Sequence, residues 1–251
     1  LNLRGVLDLN GHNLIINGDL KIDGGSKIDG YVPSSAINVN GGGIKVNGDL
    51  ELACNVDLKG GEFLINGNLL HSDGNLNING GTLDVSGDYR MEKENVDSTG
   101  NVSYSYGYAK LIMTNSSDIV NVGGTFENYM QDRKYASDLQ AGVMSVKGDF
   151  IVKEPSNDRY CSPFKGEGTF KTILNGNTKQ MVCLQGYSGF NELEILNNDV
   201  IFTSDCYMEG FKTNQDIVVE GGKDRELNLR GVLDLNGHNL IINGDLKIEG
   251  Y

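Results

Sequence analysis

Tryptophan is absent from these 251 residues and proline occurs three times. With an apolar content of 38%, the first absence speaks against a thick globular core. The scarcity of proline excludes a proline-rich linker. The four cysteines, Cys54, Cys161, Cys183 and Cys206, are too few and too scattered for a disulfide-stapled miniature scaffold. None stands in a C-x-x-C pair, which removes the usual zinc pattern. Positive charge is also short, with 21 Lys and Arg against 34 Asp and Glu and a net charge of −13. A nucleic-acid partner needs clustered Lys and Arg to neutralise phosphates, so none is expected. No apolar run approaches the eighteen or so residues of a membrane span. Leu1 opens in mid-pattern, without the charged and apolar regions of a secretory signal.

What the chain has in plenty is glycine, 35 residues, set in a repeat. An apolar alternation closes on glycine in Leu7-Asp-Leu9-Asn-Gly11, Ile37-Asn-Val39-Asn-Gly41, Val56-Asp-Leu58-Lys-Gly60 and Leu76-Asn-Ile78-Asn-Gly80. A second one closes on Gly-Asp or Gly-Asn, at Leu14 to Asp19, Ile44 to Asp49, Phe63 to Asn68 and Leu83 to Asp88. Period two with turn glycines is the signature of short strands. Asn-Gly also serves hairpins, but consecutive units carry the same residue type at the same position, as in-register stacking requires. The expectation is an all-β fold, a parallel β-solenoid or β-helix, with two or three strands per coil.

A longer period encloses the short one. Leu1 to Ile22 returns unchanged as Leu227 to Ile248, 226 residues on. We therefore read residues 1–226 as one solenoid period, with regular coils over 1–89 and insertion-bearing coils over 90–226. Residues 227–251 begin the next identical period. About ten coils per period, at roughly 4.8 Å each, predict a segment of roughly 50 Å. Irregular insertions are expected at 90–141, with a short helix around Asp132 to Gln140, and at 153–168. Neither end carries a polar capping segment, so further strands are expected to continue the stack, with self as the partner, end to end.

Val143 to Phe150, Ile173-Leu-Asn-Gly-Asn177 through Gln180, and Asn191-Glu-Leu-Glu-Ile195 resemble Gly/Asn-rich repeat regions of very large surface proteins of Gram-positive, clostridium-like bacteria. The resemblance implies an extracellular or cell-surface β-solenoid and brings no catalytic residues with it.

Four groups of residues are candidate sites. Asp19, Asp49, Asp88 and Asp149 follow the corner glycines and would stack into a ladder. They are read either as calcium ligands or as acceptors for the N–H groups of their own turns. Asn17, Asn47 and Asn66 are expected to form an amide ladder. Tyr104, Tyr106 and Tyr108 alternate, which on one strand puts three aromatic faces on one side, as a platform for a surface glycan or as cover for a thin core. Cys183 and Cys206 are 23 residues apart, close to a coil length, and are candidates for a disulfide between neighbouring coils. His12, His71 and His238 make no metal pattern. Glu92, Glu94, Asp132, Arg133 and Lys134 have no spacing that demands catalysis. The expected function is structural, a rod, stalk, adhesin or filament outside the cell. The alternative is a carbohydrate-binding or polysaccharide-processing β-helix using the tyrosines and the adjacent insertion.

Overall fold

The computed structural model describes residues 6–23, 36–130, 137–153, 163–186, 188–197, 199–203, 206–213, 217–219, 226–237, 239–242 and 245–249, and from 206 onward gives side chains only at 233–237 and 239–241. The apolar alternations are strands and the glycine dipeptides are the corners between them. Val6–Asp8, Asn13–Ile16 and Leu20–Ile22 enter three different sheets. The next three strands, Ala36–Asn38, Gly43–Val46 and Leu50–Leu52, lie parallel to them and in register. Leu7 thereby stands beside Ile37, Leu14 beside Ile44 and Leu20 beside Leu50. This three-strand passage, here called a circuit, recurs until the sheets hold six, eleven and ten strands among the described residues. The fold is all-β and mostly parallel, with no helix among the described residues.

Alternation sends every second side chain inward, so each sheet contributes a column of apolar residues to one continuous core. In the second sheet Ile44, Phe63, Leu83, Val120 and Met144 are fully buried. In the third, Leu50 and Leu69 give way to Tyr89, Phe126 and Phe150. Ring centroids lie 5.5 Å apart for Tyr89 and Phe126 and 4.9 Å apart for Phe126 and Phe150. Phe164, Phe170 and Phe190 thicken this aromatic zone. Among the described residues the first sheet ends there at Asp138–Leu139 and is continued by single bridges, Leu139 to Gly166 and Lys165 to Gly189, and the aromatic rings fill the space beside them. Beyond it the strands lengthen, as Gly189–Ile195, Cys206–Thr213 and Glu226–Asp234, so that one strand crosses both the first and second faces.

Two kinds of corner hold the circuits in register. Asn10, Asn40, Asn79 and Asn236 have φ between 45 and 53°, each followed by a glycine near 80°. Two successive left-handed residues make a type I′ turn, for which Asn-Gly is the fitting dipeptide. Lys59 takes the same conformation at 47° without an amide side chain to favour it. At the other corner glycine is required by proximity. A Cβ on Gly67 would drive into the Gly48 carbonyl and the Asp49 carboxylate, and one on Gly148 into the Gly124 backbone.

The expected insertion at 90–141 is smaller than the sequence suggested. A complete circuit, Tyr108–Met113, Ile119–Val122 and Phe126–Asn128, stands inside it. The expected helix is also corrected at its far end, where Asp138–Leu139 is a strand paired to Ile112 and Met113; residues 131–136 lie outside the described residues. The returning twenty-two residues do join the stack, but one face on. Val6–Asp8 lies in the first sheet, whereas its copy, within Glu226–Asp234, lies in the second; Asn13–Ile16 lies in the second, whereas Leu240–Ile242 lies in the third.

Candidate functional site

Among the described residues the largest departure from the circuits is the antiparallel hairpin of Lys93–Val96 and Val102–Ser105, which leaves the third sheet after Tyr89–Met91 and re-enters the first at Tyr108. Asp97 shapes its tip by accepting the N–H groups of Thr99 and Asn101 at 2.8 and 2.9 Å. The Thr99 hydroxyl and the Asn101 side-chain amide donate to it as well, at 2.6 and 2.9 Å, and these bonds to the charged form, the backbone ones adding to them, hold its carboxyl far below the usual carboxylate range. Tyr104, at 42% exposure, lies on this hairpin, and Tyr106, at 37%, just past it. The single-strand platform is therefore not what forms. Gly107 bridges to Met130 between the two strands, and Tyr106 meets Tyr108 edge to face, with centroids 6.3 Å apart and planes at 90°. Tyr129 completes the group, also edge to face with Tyr106 at 6.3 Å.

Beneath the tyrosines lies an ionic cluster drawn from three neighbouring circuits. Stacking in the third sheet sets Arg90 beside Glu127 and Glu127 beside Ile151. Arg90 pairs with Glu92 and approaches Glu127 at 3.5 Å, while Lys153 pairs with the other oxygen of Glu127. The Arg90 guanidinium also lies 4.1 Å from the Tyr104 ring centroid, a cation–π contact that ties the hairpin to the body. Glu92 is fully buried, and burial, reinforced by the neighbouring Glu127 charge, raises its pKa against the pull of Arg90 and Lys153. Glycoside cleavage needs two carboxyl groups flanking the scissile bond. Here Glu92 is closed off from solvent and both carboxylates are held by cations. The arrangement suits anchoring of the hairpin, with exposed aromatic rings above it.

The corner aspartates act between circuits. Asp19 accepts the Asp49 N–H at 2.8 Å, Asp49 the Asn68 N–H at 2.7 Å, Asp88 the Thr125 N–H at 2.8 Å and Asp149 the Met181 N–H at 2.7 Å. This corrects the own-turn reading, since each carboxylate serves the following circuit. For calcium, among the described residues no three His, Cys, Asp or Glu side chains converge on a common point. The asparagine ladder is present, with Asn47 donating to Asn17 at 3.1 Å and Asn66 to Asn47 at 3.0 Å. Cys183 carries a free thiol and stacks beside Ile151 in the third sheet, whereas Cys206 opens a strand of the second, so their spacing does not bring them onto one face. Of the charged insertion residues, Glu94 lies on the hairpin opposite Tyr104, and 132–134 fall outside the described residues.

Two features had no sequence signal. His71 is fully buried, with Nδ1 3.0 Å from the Tyr89 hydroxyl and Nε2 3.1 Å from the Gly74 carbonyl. The carbonyl can only accept, so Nε2 carries the proton and Tyr89 donates to Nδ1. Burial lowers the His71 pKa to about 4. The second feature is a polar groove of about 620 Å³ lined by Asp84, Ser86, Asn121, Gly123, Ser145 and Lys147 among others. It opens where small Ser86 and Gly123 continue the row of Asn17, Asn47 and Asn66. Comparison with protein-family models, curated proteins and solved structures finds no match to this chain.

Proposed function

We propose that this chain is a β-solenoid repeat of a rod, stalk, adhesin or filament outside the cell, continuing end to end through stacked circuits. The observation that carries this reading is the return of Leu1 to Ile22 at Leu227, on strands that extend the same parallel sheets. A sequence that resumes its own opening on the growing edge of its own stack is suited to unlimited length. The location rests on the resemblance to Gram-positive surface repeats. The negative charge keeps neighbouring rods soluble and apart. Small-angle scattering from a two-period chain tests it. Length is expected to double at constant cross-section, and thickening in both dimensions would remove the reading.

A second reading is favoured by one observation, the exposed Tyr104 and Tyr106 rings held over the Arg90 cluster. In it the hairpin side of the rod binds a surface glycan without cleaving it. Tyr106→Ala is then expected to abolish retention on a polysaccharide that holds the parent chain, with the melting temperature unchanged. Equal retention across a broad glycan panel would exclude it.

A further inference from the structure

Building on the tandem-rod reading, we infer that each 226-residue period turns the three faces of the rod by one, and that the open edge of Val6–Asp8 and Asn13–Ile16 receives the 206–219 segment of a preceding period of the same sequence. The first part follows from where identical residues lie. Val6–Asp8 belongs to the first circuit and the first sheet; its copy belongs to the tenth strand of the second sheet. Asn13–Ile16 moves likewise from the second sheet to the tenth strand of the third. Leu20–Ile22 moves from the third sheet to a strand beside Glu226–Arg230, on the face that Gly189 and Tyr207 continue from the first sheet. All three shifts have the same sense. A period is therefore nine circuits and one face, a rise of roughly 45 Å at the spacing of parallel strands.

The occupant of the edge follows from the same pairs. Within this chain Phe211 stands beside Leu233, Ile217 beside Leu240 and Val218 beside Ile241. Leu233, Leu240 and Ile241 are the second copies of Leu7, Leu14 and Ile15. A preceding period thus offers Phe211 to Leu7 and Ile217 to Leu14. The edge has the apolar character this requires. Leu7, Leu9, Leu14 and Ile16 are only partly buried, while Ile37, Val39, Ile44 and Val46, one circuit on, are fully buried. In an array the tyrosine hairpin then points to three directions in turn, so that the fourth period, and every third one after it, faces as the first does.

Engineered disulfides test the rotation, because stacked positions about 4.8 Å apart lie within the Cα separation a disulfide tolerates. With rotation, Val218→Cys/Ile241→Cys joins on mild oxidation. Without it, Ile241 would repeat the place of Ile15 in the second sheet and stand beside Lys212, where Asp234 stands here, and Lys212→Cys/Ile241→Cys would join instead. Ile151→Cys, beside the free Cys183, is the stacking control. Peptide mapping is expected to give at least tenfold more 218–241 than 212–241 product. The reverse ratio, or neither product with the control joined, overturns the rotation and leaves the stacked circuits standing. Failure of the control as well removes the rod reading and the inference with it.

Discussion

His71 shows how a single side chain ties the fold to pH. Its pKa falls from 6.5 to about 4 because burial disfavours the imidazolium. The unfolded chain therefore takes up the proton first as pH drops below 6.5. The stability that the neutral ring contributes is present above that pH and is lost progressively down to about 4, on the order of 3 kcal/mol in all. Urea midpoints measured at pH 7.5, 5.5 and 4 are expected to fall in the parent chain. His71→Gln, which cannot titrate, is expected to flatten that part of the slope. The sequence offered no hint of this, since the Tyr89 hydroxyl comes from the next circuit and the Gly74 carbonyl from the strand Asp73–Asn77 that opens it.

At the scale of elements, register between circuits is enforced by corner glycines and by charged groups that only stacking brings together. Gly67→Ala is expected to cost about 1–3 kcal/mol, because its Cβ meets the backbone of the preceding circuit. Gly18→Ala is expected to change stability by less than about 0.5 kcal/mol, since a Cβ there meets nothing within 4 Å. Arg90→Leu leaves Glu92 buried without its cation and is expected to cost about 3 kcal/mol; Arg90→Leu/Glu92→Leu is expected to recover most of it, both read from urea unfolding. The strands and Asn-Gly corners were legible because alternation and turn chemistry are local. The tyrosines were misread because the break at Gly107 is set by Met130, and the Arg90, Glu127 and Lys153 group was invisible because it needs the register across the irregular stretch. Cys183 and Cys206 failed as a pair for a related reason: spacing measures distance along the circuit only if both residues start from the same face.

For the whole molecule, the 226-residue return was plain in the sequence, but its displacement by one face was not, because that depends on how many faces a period visits. The lapse of the first sheet after Asp138–Leu139 has a further, mechanical consequence. Tension along the stack would pull on the bonds between circuits in the direction in which they point, with the sheets of each step sharing the load side by side and successive steps carrying it in series. The step with fewest bonds sets the strength. Around Leu139, Gly166 and Gly189 one face holds, among the described residues, by single bridges. In an optical-tweezer trace the first rupture is therefore expected at lower force than those that follow, giving a rod of this sequence a fuse in every period that yields length before the rest of the period lets go.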